Sequence, residues 1–118
     1  MSYQEFQRGS MFFEARDYVT ASRILAPVVA AEPTNRAALE LLGRAYFHSA
    51  QLGRAEQTLR SLAEIDPANG WAHEALARTL ERQGRSEEAV RHRKLAMAMG
   101  IEPSAEIEVS VTAGNLVS

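Results

Sequence analysis

The sequence contains no cysteine, which excludes a disulfide framework, a thiolate zinc site and a cysteine nucleophile. It has no excess of positive charge, because its formal net charge is −2, whereas domains that bind nucleic acid are usually strongly basic. No apolar run approaches the roughly 18 residues that cross a membrane. The first residues also lack the basic stretch and apolar core of a signal peptide. We therefore expect a cytoplasmic protein with no membrane segment.

Catalytic and cofactor motifs are also lacking. The three histidines, His48, His73 and His92, fall on different predicted helices, and no two have the three- or four-residue spacing that shares a metal ion. The glycines form no phosphate-binding loop. The sequence therefore predicts no metal, no cofactor and no enzyme activity.

What the sequence does contain is a repeat with a period of about 34 residues, and a fixed period of this length is the signature of a stacked repeat architecture. The matching sets are Gly9, Gly43 and Ala77; Phe12, Tyr46 and Leu80; Ala21, Ala55 and Ala89; and Pro33 and Pro67. We expect the glycines of the first set to face the alanines of the third set, which lets the paired backbones approach closely.

Apolar spacing and helix-breaking residues predict six helices in three pairs. Asp17 is expected to cap the second helix, because its carboxylate accepts free amide hydrogens of the first turn. Pro27 lies inside that helix and predicts a kink near Arg23. Ser86 is the expected cap of the sixth helix, whose first turn contains two glutamates.

This pattern resembles the tetratricopeptide repeat family, whose motif has a W-x2-L-G-x2-Y segment followed by alanine, aromatic, alanine and proline positions. The second repeat matches best, at Leu39, Leu42, Gly43, Tyr46, Ala55, Leu59, Leu62 and Pro67. The third departs most, because His73 stands where Trp is usual and Arg93 where an aromatic residue is usual. The resemblance covers residues 2 to about 101. It implies an all-α, right-handed superhelical stack of three helix–turn–helix repeats, at about 2–35, 36–69 and 70–101.

The resemblance also implies a concave groove, lined by the first helix of each repeat, that binds a peptide of a partner protein. The corresponding residues here are Tyr3, Phe6, Ser10, Phe13, Glu14, Ala37, Glu40, Arg44, Phe47, His48, Trp71, Glu74, Arg78, Glu81 and Arg82. Aromatic and Arg side chains are the types that dominate binding hot spots. Structural alternatives stay open for several of these residues. Phe13 and Phe47 pack between repeats, and Tyr3 frays with the terminus. Glu40 with Arg44, and Glu74 with Arg78, form only ion pairs on the helix surface.

One subgroup of the family binds chaperone tails with a cationic carboxylate clamp. The corresponding places here hold Phe6, Ser10, Leu41, Trp71 and Ala75. None of these supplies a positive charge, and Leu41 is expected to be buried. The sequence therefore favours a partner with apolar side chains over a chaperone tail.

A group of cations gathers around the last helix pair. Its members are Arg82, Arg85, Arg91, Arg93 and Lys94. One alternative is the solvated outer face that a terminal repeat needs, and another is a patch that docks an acidic partner segment. Nucleic acid is the third and least favoured alternative, because no aromatic platform interleaves these cations.

The segment 102–118 breaks the pattern. Ile107, Val109 and Val111 alternate with polar residues, which is the period of a strand. We expect a non-helical tail that is extended or disordered, that lies along the groove of its own or a neighbouring chain, or that pairs with a copy of itself. With the apolar residues of the last helix, this predicts a homodimer. The leading hypothesis is a non-catalytic adaptor, and the alternative is a self-assembly module that uses its end faces and tail.

Overall fold

A computed structural model describes residues 2–101, which form six α-helices and no strand. The helices are α1 (Ser2–Glu14), α2 (Tyr18–Ala31), α3 (Arg36–His48), α4 (Leu52–Ile65), α5 (Gly70–Arg82) and α6 (Ser86–Ala98). Helix α1 packs on α2, α3 on α4 and α5 on α6, and contacts of α2 with α3 and of α4 with α5 join the pairs. The predicted all-α stack of three helix pairs is confirmed. The domain limits stay a prediction, and the tail at 102–118 lies outside the described residues.

Side-chain caps mark the start of three helices. Asp17 Oδ1 accepts a hydrogen bond from a backbone amide of α2 at 3.1 Å, as predicted. Asn35 and Asn69, which lie directly before α3 and α5, cap these helices in the same way at 3.1 and 3.0 Å. The prediction for Ser86 is wrong, because α6 begins at Ser86 and Arg85 occupies the cap position without a side-chain hydrogen bond. Each side-chain cap satisfies an amide that the helix itself leaves free.

The turn within each pair uses the left-handed backbone region. Arg16, Ala50 and Gly84 occupy equivalent places in the three repeats and have φ values of 65°, 61° and 80°. Only glycine adopts this region without a steric cost, so the first two turns are strained relative to the third. Within α2, Pro27 does not end the helix, which continues to Ala31; the kink stays a prediction.

The two helices of a pair approach most closely at the repeated glycines. A Cβ added at Gly9 would lie 2.6 Å from the Cγ atom of Leu25, and one at Gly43 would lie 2.8 Å from a methyl carbon of Leu59. Both leucines are fully buried. The close approach is therefore confirmed, but the nearest atoms belong to these leucines, one helical turn beyond the predicted alanines Ala21 and Ala55. This contact fixes α1 on α2, and so positions the groove residues of α1.

Candidate functional site

A concave cavity lies between α1 and α3. It has a volume of about 240 Å³ and is lined by Phe6, Ser10, Ala37, Glu40, Leu41 and Arg44. Five of these are the groove residues that the family resemblance implied for the first two repeats. The structure therefore brings together the α1 and α3 parts of the predicted groove.

Arg44 links this cavity to the third repeat. Its guanidinium donates a hydrogen bond to the Glu40 carboxylate at 2.8 Å and stacks over the Trp71 ring, 4.5 Å from the ring centroid. A guanidinium over an indole face gains cation–π attraction. The Glu40–Arg44 pair is thus the predicted intrahelical ion pair. It also holds the Arg44 guanidinium against the Trp71 ring at the border of the cavity.

Leu41 requires a correction. It is half-buried and lines the cavity, whereas the sequence predicted a buried residue. Helical geometry explains the difference, because Leu41 and Arg44 lie three residues apart and so share a helix face. The argument against a carboxylate clamp therefore no longer includes burial of Leu41. It depends on residue type, because Phe6, Ser10 and Leu41 line the cavity and carry no positive charge.

Four rings form a cluster beside the groove rather than a free aromatic surface. The Tyr18 and His48 rings stack with centroids 4.7 Å apart, and Phe13 contacts both rings edge-on at 5.1 and 6.0 Å. The Phe47 ring contacts the His48 ring edge-on, with centroids 5.8 Å apart, and Phe47 is only 1% exposed. The prediction that Phe47 faces a ligand is therefore wrong, and the alternative in which it packs between repeats is confirmed. Sequence analysis missed Tyr18, whose only signal was its place after the capping Asp17.

Glu74 also requires a correction, because it is 1% exposed. Its carboxylate accepts hydrogen bonds from Arg78 at 3.2 Å and from Arg93 at 3.3 Å. Arg93 also forms an ion pair with Glu81. The hydrogen bond that Arg93 donates in this pair lowers the pKa of Glu81 below its usual value. A buried carboxylate needs such partners to offset its desolvation. Glu74 is thus an internal ion-pair centre and does not offer its charge to a peptide.

The other implied groove residues keep some exposure. Tyr3 is 65% exposed and its hydroxyl accepts a hydrogen bond from Gln7. Glu14 is exposed, and Trp71 and Arg78 are half-buried. These residues border the cavity helices without lining the cavity itself.

The predicted acidic-partner patch is largely committed to contacts inside the protein. The Arg82 guanidinium lies 4.7 Å from the centroid of the Phe47 ring. Arg85 binds the carboxylates of Glu56 and Glu88 at 2.7 Å each. These side chains therefore stabilise the junction between the second and third repeats.

Arg93 likewise forms ion pairs with Glu74 and Glu81. Only two residues of the predicted patch are therefore left as a free cationic surface. Arg91 and Lys94 are exposed and form no ion pair among residues 2–101. On the same helix, Val90, Leu95 and Met97 are 49%, 44% and 51% exposed. This apolar surface is where the predicted homodimer would form, and the dimer stays a prediction.

Two histidines meet across α5 and α6. The His73 and His92 rings stack with centroids 5.7 Å apart and their Nδ1 atoms 3.5 Å apart, a pairing that sequence spacing could not show. Burial, together with the neighbouring Arg60 charge, lowers the pKa of His92. Between residues 2 and 101, no cluster of three or more His, Cys, Asp or Glu residues suits a metal ion. In the same range no helix has the length and apolar character of a membrane span.

Comparisons with known proteins agree with this architecture. Family models described as tetratricopeptide repeat match residues 12–67 and 58–91. No curated protein matches the chain. Among solved structures, one mutant of MamA is 26% identical with a TM-score of 0.80, over 86% of this chain and 74% of that chain. A second MamA mutant is 25% identical with a TM-score of 0.81, over 94% and 60%. A MamA fragment from Desulfovibrio magneticus RS-1 is 26% identical with a TM-score of 0.75, over 80% and 54%. The chain thus spans 54–74% of the length of these three structures.

Proposed function

The chain is a tetratricopeptide repeat protein, and we propose that it is a non-catalytic interaction module that binds a peptide of another protein. The ligand lies in the groove between α1 and α3 and extends towards Trp71 of α5. The observation that carries this proposal is the cavity of about 240 Å³, which is formed by residues of two different repeats. A surface made by stacked repeats is the usual binding surface of such architectures.

The lining of the groove favours an apolar anchor side chain in the ligand. Phe6 and Leu41 supply apolar walls, while Ser10 offers a hydroxyl to a peptide backbone. The charges of Glu40 and Arg44 are paired with each other, so the cavity presents no net charge. The cavity is smaller than the usual pocket for a small molecule and suits one or two side chains. We therefore expect a peptide with a Leu- or Phe-like anchor next to polar residues.

A charged side chain placed in the cavity tests the proposal. Ala37 is exposed at the rim and lies in the first turn of α3, where a Glu is well tolerated by the helix. Peptides are first selected from a random phage-displayed library on the wild-type chain. They should bind the Ala37→Glu variant at least about tenfold more weakly. A tenfold change corresponds to about 1.4 kcal/mol of binding free energy, which is typical of a substitution at a hot spot. The matched control is Ala98→Glu on the exposed face of α6, which should change the affinity by less than about twofold.

The affinities can be measured by fluorescence anisotropy of the labelled peptides, with circular dichroism to confirm that each variant is folded. A second variant, Phe6→Ala, should also weaken peptide binding, because it removes an apolar wall of the cavity instead of adding a charge. Equal affinity of the selected peptides for wild type, Ala37→Glu and Phe6→Ala would place the binding surface elsewhere and end the groove proposal.

A further inference from the structure

A second cavity opens on the other side of α3. It has a volume of about 530 Å³, and its lining includes Ser22, Arg23, Tyr46, Ser49, Gln51 and Arg54. These residues come from α2, the end of α3 and the start of α4. Tyr46 follows the groove residue Arg44 by two positions, about 200° around the helix. This cavity, named here the cation pocket, is therefore separate from the peptide groove.

Hydrogen bonds fix the polar floor of the cation pocket. The Gln51 side-chain amide donates to the hydroxyl of Ser49 at 2.8 Å and to that of Ser22 at 3.5 Å. Arg54 donates to the Gln51 carbonyl oxygen at 2.9 Å. Ser22 is only 3% exposed, so this floor is a built feature and not a set of mobile surface groups. Arg23 and Arg54 are exposed at the rim of this floor, and the hydrogen bond to Gln51 orients the Arg54 guanidinium.

The two arginines of the pocket differ from most others in the protein. Arg23 and Arg54 form no ion pair with a carboxylate among residues 2–101. Carboxylate partners are present for Arg8, Arg36, Arg44, Arg60, Arg78, Arg85 and Arg93. The pocket lining contains no acidic residue. The cation pocket thus carries positive charge that the protein does not neutralise.

The second repeat junction shows which group suits this place. A shift by one repeat moves Ser22 to Glu56, Gln51 to Arg85 and Arg54 to Glu88. There, Arg85 and Arg60 each bind both carboxylates at distances of 2.6–2.8 Å. The protein therefore fills the second junction with two guanidinium and two carboxylate groups. The first junction holds the same number of guanidinium groups and lacks the carboxylates.

We propose that the cation pocket binds neighbouring acidic side chains of a peptide segment in a partner protein. Two carboxylates of the partner enter between Arg23 and Arg54 and supply the carboxylate partners that both guanidinium groups lack within the described residues. Val19 and the Tyr46 ring at the pocket wall contact the methylene groups of the entering side chains. Charge-assisted hydrogen bonds from guanidinium to carboxylate supply the specificity. An acidic partner segment is thus expected at α2 and α4, not at the α6 patch that the sequence indicated.

The test is a titration of the isotope-labelled full chain with a blocked Gly-Ser-Glu-Glu-Ser-Gly peptide at low salt, followed by NMR. The backbone amide signals of Gln51 and Arg54 should shift saturably. The matched peptide with Gln in place of both Glu residues should bind at least about fivefold more weakly, since exposed ion pairs contribute modestly each. Arg23→Gln combined with Arg54→Gln should reduce the affinity by a similar factor. Arg91→Gln, which removes an exposed cation of α6, is the matched control and should leave the affinity unchanged.

Three results would overturn the proposal. The first is equal binding of the Glu peptide to wild type and to the double variant, with thermal unfolding showing both to be folded. The second is displacement of the peptide by inorganic phosphate at equal concentration, which would indicate a general anion site. The third is a change of the pocket signals in the unliganded chain on Glu106→Gln with Glu108→Gln, which would identify the chain's own tail as the occupant.

Discussion

Gly9→Ala tests whether the close approach of α1 and α2 holds the groove together. The added methyl group would lie 2.6 Å from both Cγ and one methyl carbon of Leu25, and 3.2 Å from its other methyl carbon. Because Cγ itself is too close, a rotation of the terminal methyl groups cannot relieve the overlap. Leu25 is fully buried, so either the leucine or the whole of α1 must shift. A shift of α1 would move Phe6 and Ser10 at the cavity.

The expected cost follows from two opposing terms. Overpacking of a well-packed core costs about 1–3 kcal/mol, while Ala in place of Gly inside a helix gains about 1 kcal/mol. Gly9→Ala should therefore lower the free energy of unfolding by up to about 2 kcal/mol. The matched control is Gly53→Ala in α4, where nothing lies within 4 Å of the added Cβ. This control should raise stability by up to about 1 kcal/mol.

Urea denaturation followed by circular dichroism gives both values, and a third variant isolates the steric term. In a Leu25→Ala background the overlapping atoms are gone, so Gly9→Ala should change from destabilising to stabilising. This reversal is a coupling between two residues in contact. The packing argument would be refuted if Gly9→Ala were as stabilising as Gly53→Ala in the wild-type background.

Two further predictions concern the turns and the end of the stack. Ala50→Gly should raise the free energy of unfolding by about 0.5–1 kcal/mol and Gly84→Ala should lower it by a similar amount, because both residues have positive φ; urea midpoints that move in the same direction would contradict this. The Arg93 hydrogen bond lowers the pKa of Glu81 in the folded state, so its stabilisation is present above the unfolded pKa and is lost as the pH falls through the folded pKa. Arg93→Gln should therefore flatten the loss of stability between neutral and acid conditions, and an unchanged pH profile in urea denaturation would argue against this pairing.

The repeat period was sufficient to predict the helices and their pairing. Period and residue type together also predicted the Asp17 cap and the close approach at Gly9 and Gly43. These features depend on residues within one helix or on one neighbouring helix at a fixed offset. Local periodicity and residue propensity are therefore enough to specify these features.

The side-chain surroundings of the site were less predictable. Phe47 and Glu74 occupy places that face a groove in the family, yet both are buried. Phe47 packs into the apolar core between the second and third repeats, with Arg82 over its ring. Arg93 reaches Glu74 from α6. The His73–His92 contact arises in the same way, across two helices. Such contacts depend on long side chains from other helices, and no spacing within the sequence encodes them.

Departures from the period have two separate physical causes. Phe47 and Leu59 of the second repeat are replaced in the third by Glu81 and Arg93, whose side chains are 44% and 24% exposed. No helix of the described chain follows α6 to bury an apolar pair, so a solvated ion pair takes its place; this departure is a property of the end of the stack.

The cation pocket cannot be explained in that way, because its lining residues lie on or beside α2, α3 and α4, and further helices of the described chain follow all three. Arg54 and Glu88 occupy the same structural place, with opposite charge. Glu88 completes an internal network with Arg60 and Arg85, whereas Arg54 adds to the charge of Arg23. An exposed arginine at this place adds no ion pair to the fold, in contrast to Glu88. This departure is consistent with a group supplied from outside, and the Glu-containing peptide tests for that group directly.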